Sequence, residues 1–480
     1  MLLRGGRLGD ISEDVLEFIS SRDADRRIFE ADLLVDRAHL VMLRDQGLIS
    51  FEDCSRIIAA LDELDELDQS MLGEGEDVHE AIEAHIISRV GQLGGRMHTG
   101  RSRNDEVATC IRISLRSEML SLMDELLSLI RTLVELADTH KDSLIPGFTH
   151  TQHAQPTTLA HHLLAHCDAL SRDLARIRGA YSRVNLSPLG AAAFASTGFE
   201  IDRAKTCSLL GFEGLMENSM DAVSSRDFIL EVLSDLSILM VNLSRMAEEL
   251  ILWSTSEFGY VELDNRFAST SSIMPQKKNP DTAELARGKA GSVLGSLVSA
   301  LTICKALPLS YNRDLQEVTP HLWRSMDWAR STVRIIEGCV SSARFNLQRM
   351  EAGAGAGFST ATEIADSLVR ITGIPFRTAH QIVGRLAAEN QNPTIQDLDA
   401  CALDVAGIKP SLMGYSAEDL KRALDPRSNV AVRSRTGGPA PSETARMISE
   451  RQKMLDAVGG EIEGLRSNVD HALDALRQLR

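Results

Sequence analysis

Hydrophobic residues recur every three or four positions along much of the chain, which is the repeat of an amphipathic helix. The clearest stripe follows Ser102 and continues to Ala137 without a glycine or proline to interrupt it. Ser102 can cap a helix N-terminus, and Asp105 three residues later completes a short capping box. The pattern therefore predicts one helix over residues 103–137, about 50 Å long.

Three further long helices show the same repeat and are predicted over residues 156–177, 225–257 and 279–306. Pro156 is expected to open the first of them, and Asn279 to cap the last with Pro280 at its first position. Helices this long and apolar exceed what one subunit can cover, so we expect a bundle shared between subunits. Apolar and polar residues alternate nowhere for long, so a substantial sheet is not expected.

The remaining segments complete an all-α chain with three predicted domains. Short amphipathic helices are predicted over residues 12–68, followed by a looser, glycine-rich region over 73–100. The helical pattern lapses again at the glycines of 351–357. The domains are an N-terminal helical domain (1–102), a central long-helix bundle (103–353) and a C-terminal helical domain (354–480).

Composition narrows the possible partners. The 480-residue chain has a formal net charge of −17, which argues against nucleic acid, because phosphates require a basic face. A site for a small anion must then be locally basic, which favours Lys277, Lys278, Arg101 and Arg103. The cysteines are scattered without a C-x-x-C pair, so neither a disulfide framework nor a zinc site is indicated. No apolar run suits a signal peptide or a membrane span, so we expect a cytoplasmic protein without membrane contact.

The most informative segment is the signature loop, residues 271–281, with the sequence Ser-Ser-Ile-Met-Pro-Gln-Lys-Lys-Asn-Pro-Asp. It carries hydroxyl and ammonium groups into the N-terminus of a predicted helix, where backbone amides and the helix dipole favour an anion. Small polar loops before helices are also common on surfaces. The functional interpretation therefore depends on the polar segments that follow.

A second polar segment, Thr99–Asp105, lies at the start of the long helix. Arg101, Arg103 and Asn104 could hold a carboxylate there by charge-assisted hydrogen bonds. Ordinary helix capping with surface arginines explains the segment equally well.

A third segment, residues 146–153, contains His150 beside Thr149. A loop histidine with a carboxylate partner could act as a general acid or base. Farther along, His162 and His166 share a helical face and invite a metal site. We predict no metal there, because His166 lies on the apolar seam and no nearby carboxylate completes a ligand set.

A fourth polar run, Ser310–Glu317, could by itself be a solvated turn. Together, however, these segments resemble the fumarase/aspartase superfamily, homotetrameric lyases that eliminate across a C–C bond and release fumarate. The Gln-Lys-Lys-Asn-Pro-Asp form of the signature loop is similar to that of the argininosuccinate lyases, as are residues 100–105 and 311–317. Supporting matches occur at 76–79, 218–223 and 244–248, and the resemblance covers nearly the whole chain.

The resemblance implies a role for each matching residue. Ser271 matches the base that removes the Cβ proton, while Lys277 and Asn279 match groups that hold the substrate carboxylate and stabilise the aci-carboxylate. His150 matches a histidine that is paired with a glutamate, here Glu284. The other matches are to substrate contacts: Ser21, Arg103, Asn104, Thr149, Arg245, Tyr311 and Gln316.

The implied fold is the three-domain superfamily fold, with the long helices at the core of a homotetramer whose active sites are shared between subunits. The implied reaction is a reversible anti β-elimination of argininosuccinate to arginine and fumarate, a step of arginine biosynthesis that uses no metal or organic cofactor. The alternatives are a superfamily lyase of the aspartase or adenylosuccinate lyase type, and an inactive structural homologue like the eye-lens relatives. The signature loop and residues 311–317 argue against the first, and the retained catalytic matches against the second.

Two positions depart from the family pattern. Thr270 stands where a glycine usually precedes the two serines, and a threonine restricts backbone freedom. Thr319 stands where the family often has a lysine that contacts a carboxylate. We expect Thr270 to affect loop closure, while Arg313 is the residue to examine as a substitute for the lysine.

Overall fold

The computed structural model describes residues 11–65, 75–390 and 392–479. Its α-helices are α1 (Glu13–Ile19), α2 (Arg22–Asp25), α3 (Phe29–Asp45), α4 (Phe51–Asp65), α5 (Val78–Val90), α6 (Arg103–Thr139), α7 (Leu159–Val184), α8 (Arg203–Leu209), α9 (Ser219–Ser224), α10 (Asp227–Ser254), α11 (Asp281–Cys304), α12 (Val318–Ser341), α13 (Leu347–Ala354), α14 (Ala361–Thr372), α15 (Phe376–Glu389), α16 (Ile395–Ala406), α17 (Ala417–Leu424), α18 (Pro426–Ala431) and α19 (Pro441–Gln478). Short 3₁₀ helices lie at Gly91–His98, Asn265–Phe267, Arg313–Glu317, Ala356–Phe358 and Pro410–Met413.

Strands are few and short in the described residues: β1 (Leu144–Thr149), β2 (Gln152–Thr158), β3 (Leu186–Ser187), β4 (Gly214–Leu215), β5 (Val261–Glu262), β6 (Ser269–Thr270), β7 (Lys278–Asn279) and β8 (Arg344–Phe345). They form only two-stranded sheets, β1–β2, β3–β4, β5–β8 and β6–β7. The prediction of an all-α architecture is therefore confirmed.

The long helix predicted over 103–137 is α6, which runs for 37 residues. Its capping box forms as expected: the Asn104 N–H donates to Ser102 Oγ (3.3 Å), and the Ser102 N–H donates to Asp105 Oδ1 (3.0 Å). These bonds satisfy backbone donors that a helix start leaves without partners. The apolar stripe of α6 is buried along its length.

Five long helices pack side by side into the central bundle. Helix α6 packs against α7 and α12, while α10 packs against α7, α11 and α12. One continuous hydrophobic core runs through them, and α3 and α19 extend it on α6. Because leucine, isoleucine, valine and methionine fill this core, the bundle forms with very few aromatic rings.

Helix α7 begins later than predicted. Pro156 does not open it but lies in β2, opposite Pro146. A proline cannot donate to a ladder, and a two-stranded sheet leaves room for it at an edge. Thr158 is the N-cap instead, accepting a hydrogen bond from the His161 N–H (3.1 Å).

Helix α11 also begins later than predicted. It starts at Asp281, with Pro280 at the N-cap position, so the prediction of Asn279 as cap was wrong. Asn279 lies in β7 and pairs with Ser269. This pairing turns the signature loop into a small hairpin that holds residues 271–277 away from the bundle.

The glycine-rich region predicted to be loose over 73–100 is helical from Val78 to His98, in α5 and the 3₁₀ helix behind it. Asp77 caps α5 by accepting from the Glu80 N–H (2.8 Å). A Cβ on Gly94 would stand 3.0 Å from the Ile87 backbone nitrogen, so glycine allows these two turns to touch. Residues 66–68 of the predicted 12–68 helical segment lie outside the described residues.

A second, smaller hydrophobic core lies among α14–α17, from Phe358 to Ala423. Helix α19 does not join it but returns to the central core, where Met447 and Leu476 are buried. The boundaries of the three predicted domains stay a prediction. The packing also shows that α19 belongs to the core of the central bundle.

One face of the bundle remains apolar and exposed. Leu285, Leu294 and Val298 on α11 and Val241 on α10 each expose more than half of their surface. An exposed apolar stripe on long helices is typical of a subunit interface. Within the part of the chain that the structure describes, every helix is too short or too polar to cross a lipid bilayer.

Candidate active site

A cavity opens between the N-terminal helices, the start of α6 and the 3₁₀ helix that precedes α12. It is lined by part of the predicted set of substrate contacts, namely Ser21, Arg103, Asn104, Tyr311 and Gln316. Hence segments nearly 300 residues apart in sequence meet around one space. We call it the N-terminal cavity.

Charged groups of both signs line this cavity. Arg103 Nη1 donates to Asp77 Oδ2 (2.9 Å), and Arg313 forms an ion pair with Glu76. Asp25 is buried, and its Oδ2 accepts from Ser21 Oγ (2.6 Å). Burial raises the pKa of the Asp25 carboxyl. The cavity can therefore bind a zwitterionic group, with carboxylates for its cation and arginines for its anion.

His79 forms the floor of the cavity and was missed as a site residue by sequence reasoning, which noted it only within a supporting match. Its Nδ1 lies 2.7 Å from Asp32 Oδ2, and its Nε2 has no hydrogen-bond partner among the described residues. Burial alone lowers the pKa of the imidazole, but the Asp32 and Glu106 carboxylates outweigh it and raise that pKa well above its usual value. These carboxylates therefore favour the imidazolium form of His79, which lines the cavity. The sequence feature that could have indicated His79 was its place in the first turn of a helix that an aspartate caps.

Arg101 does not contribute to an anion site, contrary to one expectation. Its side chain is 1% exposed, with Nη2 2.6 Å from Asp36 Oδ1 and 2.8 Å from Glu106 Oε1. Burial raises the pKa of the Asp36 carboxyl to about 7 against the opposing effect of Arg101. Arg101 therefore neutralises buried acids beneath the cavity, while Arg103 two residues later reaches its wall.

Arg226, at the N-cap of α10, is a second residue that the sequence did not single out. It lines the cavity, is 4% exposed, and donates from Nη1 to the Ser225 carbonyl (2.8 Å), while its Nε has no partner in the part of the chain that the structure describes. Burial lowers the pKa of this guanidinium. Nothing in the helical pattern marked it, because a cap arginine looks like a surface residue in sequence.

The signature loop lies elsewhere on the surface. Lys277 is exposed, and the apolar tip residue Ile273 exposes 83% of its surface. Phe267, just before the loop, packs on Gly338 of α12, where a Cβ would meet the ring at 2.2 Å. Its carbonyl accepts from Thr282 Oγ1 (2.7 Å). The base of the loop is thus anchored to the bundle and its tip is not.

Ser271 is half-buried at the start of the loop. Its Oγ accepts from the backbone N–H groups of Ile273 (3.3 Å) and Met274 (3.1 Å). Donors aimed at an oxygen favour its negatively charged form. These two donors would help to stabilise negative charge on the Ser271 oxygen, as its predicted role requires.

His150 is presented at the tip of the β1–β2 hairpin. Thr149 pairs with Gln152, so His150 and Thr151 form a two-residue turn, with φ of 54° and 58°. Positive φ at both positions fits the primed hairpin turn but is unfavourable for residues other than glycine. The hairpin thus holds an exposed imidazole in a strained turn, a feature common at functional sites.

The predicted catalytic residues do not meet within one chain. Among the described residues, no hydrogen bond or ion pair joins His150 to Glu284, which is exposed on α11. Arg245 is exposed on α10, and Thr149, Asn279 and Arg245 do not line the N-terminal cavity. The predicted residues are therefore divided between the N-terminal cavity and separate exposed surfaces, and the predicted roles stay predictions.

The two departures from the family pattern have different outcomes. Thr270 lies in β6 and pairs with Lys278, so it occupies extended backbone, where a β-branched residue fits well. Thr319 lines the cavity, and its Oγ1 donates to the Gln316 carbonyl (2.9 Å) rather than supplying a charge. Arg313 reaches the cavity but is already paired with Glu76.

The reason given against a metal site at His162 and His166 was wrong. Glu249 of α10 lies against both rings, with its Oε2 2.7 Å from each Nε2. A carboxylate therefore does complete the group. It comes from 83 residues farther along the chain, so no local pattern revealed it.

Comparisons with known proteins identify the family to which this architecture belongs. A family model described as Lyase matches residues 35–295, and one described as Argininosuccinate lyase C-terminal matches residues 358–431. The argininosuccinate lyase of Methanothrix thermoacetophila is 66% identical over 478 residues, covering 100% of this chain and 98% of the relative. That of Methanocaldococcus jannaschii is 50% identical and covers 96% of each chain. The chain belongs to the argininosuccinate lyase family.

Solved structures agree with this membership. The chain is similar to an EDDS lyase in complex with formate, at 33% identity and a TM-score of 0.87, over 98% of this chain and 95% of that one. It shares its fold with a class II fumarase from Schistosoma mansoni, at a TM-score of 0.70 over 84% of this chain and 90% of that one. The argininosuccinate lyase C-terminal match coincides with the second hydrophobic core. The resemblance to the fumarase/aspartase superfamily is confirmed.

Proposed function

We propose that the protein catalyses the reversible anti β-elimination of argininosuccinate to arginine and fumarate. The observation that carries the proposal is the N-terminal cavity, whose paired acids and arginines suit the arginine half of that substrate. Family membership over the full chain supports the same reaction.

The two halves of the substrate fit different surfaces. The arginine half carries an ammonium and a carboxylate, and the cavity offers Asp25 and Asp77 for the cation, with His79 and Arg226 for the anion. The succinyl half carries two carboxylates, and the signature loop offers Lys277 and the positive N-terminus of α11. The scissile C–N bond would lie where these surfaces come together.

Ser271 is the proposed base for the Cβ proton. Its Oγ accepts two backbone N–H bonds, and its alkoxide would be stabilised further by Lys277 in a loop closed over substrate. Removing a proton alpha to a carboxylate builds a second negative charge on that carboxylate. Lys277 and Asn279 are the proposed groups that stabilise this aci-carboxylate.

His150 and Glu284 are proposed to act on the leaving side. A histidine hydrogen-bonded to a glutamate can donate a proton to the departing guanidino nitrogen or orient a water that does so. The hairpin turn aims His150 away from its own chain, and Glu284 is equally exposed on α11. Their pairing is therefore proposed between subunits.

The proposed assembly is a homotetramer with shared active sites. Its support is the exposed apolar stripe of α10 and α11, together with the separation of the catalytic surfaces from the cavity in one chain. Packing α11 stripes of different subunits together would bury the apolar residues. It would also bring a signature loop to another subunit's cavity.

A direct assay tests the reaction. The purified protein is incubated separately with argininosuccinate, aspartate and adenylosuccinate, and fumarate is followed by its absorbance. We expect release from argininosuccinate only. Turnover of aspartate or adenylosuccinate alone would replace the proposal by the corresponding lyase, and inactivity with all three would support a structural homologue.

A further inference from the structure

Three side chains from two helices of the bundle converge on one point. His162 and His166, one turn apart on α7, both place Nε2 2.7 Å from Oε2 of Glu249 on α10. The three candidate ligand atoms lie within 4.8 Å of one another. We call this group the α7–α10 triad. It touches neither the N-terminal cavity nor the signature loop.

The donor set of the triad is one that transition metals prefer. Two imidazoles at i and i+4 of a helix with a carboxylate from a second helix give the three protein ligands of many zinc sites. Imidazole nitrogen suits Zn²⁺, Co²⁺, Ni²⁺ and Cu²⁺, whereas Mg²⁺ and Ca²⁺ favour all-oxygen sites. Ligand atoms about 2.0–2.1 Å from a tetrahedral ion stand about 3.3–3.4 Å apart, so Glu249 Oε2 would move about 0.6 Å away from each Nε2 to admit one.

The surroundings allow an ion to enter and keep the ligands in place. The His162, His166 and Glu249 side chains are 26%, 16% and 38% exposed, which leaves solvent access for a water as fourth ligand. The Trp253 ring lies 4.8 Å from the His162 ring, centroid to centroid, and restricts its rotation. The helices that carry the ligands are themselves packed in the central core.

We propose that the α7–α10 triad binds one divalent transition-metal ion, of the Zn²⁺ type, per chain. On binding, each imidazole carries its proton on Nδ1 and offers the Nε2 lone pair, and the Glu249 carboxylate supplies the third ligand. The ion takes no part in breaking or forming a bond of the substrate. The ion links α7 to α10 and so has a structural function.

The position of the triad gives this link a consequence. Helix α7 begins directly after the β1–β2 hairpin that presents His150, and Arg245 lies one turn before Glu249 on α10. A bound ion would fix the first turns of α7 against α10, and with them the root of the hairpin. The proposal does not depend on the reaction assigned above.

Equilibrium binding tests the proposal. Tag-free protein is stripped of metal with a chelator and dialysed. It is then titrated with Zn²⁺, followed by calorimetry, and with Co²⁺, followed by visible absorption. The Co²⁺ spectrum distinguishes an ion in a low-symmetry protein site from the aqueous ion. We expect one ion per chain and a rise in the thermal midpoint with Zn²⁺, because a ligand that binds only the folded state stabilises it. A wild-type chain that binds neither ion would overturn the proposal, whatever the variants do.

Matched variants locate the ion. Glu249→Gln and His166→Gln keep the side-chain shape and remove one ligand, and each should weaken binding by at least roughly 100-fold, beyond the 10–100-fold effect typical of outer-shell residues. His161→Gln on the same turn is the control, because His161 Nε2 contacts the Gly437 carbonyl instead. Equal affinity in all three variants would place the ion elsewhere and refute the triad. Circular dichroism of each metal-free variant confirms that its helices are intact.

Discussion

The N-terminal cavity and the signature loop differ in how much of a site one chain builds. The cavity is recessed between helices, and its charges are held by partners from the same chain, such as Arg103 with Asp77. The signature loop is anchored only at its base, and its lysine and apolar tip face outward. The chain thus completes the surface proposed for one half of the substrate and leaves the proposed reactive groups unassembled.

This difference separates binding from chemistry in a testable way. Changes at the loop should affect turnover and leave the folded chain intact, because few contacts depend on the loop. Changes beneath the cavity should affect stability first, because buried charges there depend on one another. The following predictions test that division, from the largest expected effect to the smallest.

The largest effect is expected at the loop. Ser271→Ala should lower kcat by roughly 10²–10⁴-fold, the usual contribution of a positioned base, with little change in the thermal midpoint. Steady-state fumarate release measures the first and calorimetry the second. Ser272→Ala, the exposed neighbour, is the control and should remain active. Near-normal turnover of Ser271→Ala would remove it as the base.

Subunit mixing tests whether the reactive groups come from different chains. Tetramers of His150→Ala and of Ser271→Ala should each be nearly inactive, and mixing them under mild dissociation should restore part of the wild-type rate. The reason is that some mixed sites would receive neither altered residue. If mass spectrometry confirms mixed tetramers and activity does not return, sites shared in this way are refuted.

Beneath the cavity, Arg101→Met should lower the free energy of unfolding by about 3–5 kcal/mol, because it leaves the buried acids Asp36 and Glu106 without their cation. Urea unfolding at fixed protein concentration measures the change. Arg89→Met is the control: its ion pair with Glu63 is half exposed and should contribute less than about 1 kcal/mol. Equal losses in both variants would show that the buried cluster is not what stabilises this region.

Within the cavity, Tyr311→Phe should lower kcat/KM by roughly tenfold, because it removes one hydrogen bond to the bound substrate that contributes about 1.4 kcal/mol. The expected change is mainly in KM. Tyr415→Phe is the control, since its hydroxyl bonds to Ser367 in the second core (2.9 Å) and should affect stability without changing KM. An unaltered KM in Tyr311→Phe would place the substrate outside this wall of the cavity.

The smallest effect concerns pH. Burial lowers the pKa of His39 to about 3 from 6.5, and its Nε2 lies 2.9 Å from the Thr99 carbonyl. As the pH falls from 6.5 towards 3, the unfolded chain gains a proton at His39 that the folded chain does not. Stability should therefore fall with decreasing pH, at up to about 1.4 kcal/mol per pH unit from this residue.

His39→Gln keeps a donor for the Thr99 carbonyl and removes the titrating group. Urea midpoints measured at several pH values should show a shallower decline in the variant than in the wild type. An unchanged slope would mean that other groups, such as His98, whose pKa is lowered to about 4 by burial and then by nearby arginines, account for the acid sensitivity.

The sequence predicted the helices well where local rules decide the outcome. The α6 start at Ser102 depends on hydrogen bonds between neighbours in sequence, and it formed as predicted. The starts of α7 and α11 were predicted two or three residues early, because Pro156 and Asn279 pair with strands that the sequence did not indicate. Prolines mark a break in the chain but do not say on which side a helix begins.

For the candidate site, sequence resemblance predicted which residues form it, and the structure divided these residues into two groups. Arg101 and Arg103 look equivalent in sequence, yet one is buried with acids and the other reaches the cavity. Arg101 lies before the Ser102 cap, whereas Arg103 is the first residue of α6, so the two side chains leave the backbone in different directions. The packing of α6 against α3 therefore decides which arginine faces the cavity.

By itself the sequence determined the long amphipathic helices, the Ser102 cap of α6 and the signature loop, because these depend on residues within a few positions of each other. Only the tertiary structure decided that Glu249 meets His162 and His166, that His79 and Arg226 reach the cavity, and that the signature loop lies apart from it. Those contacts join segments tens to hundreds of residues apart. They follow from how each helix is rotated and packed in the bundle, which no local pattern specifies.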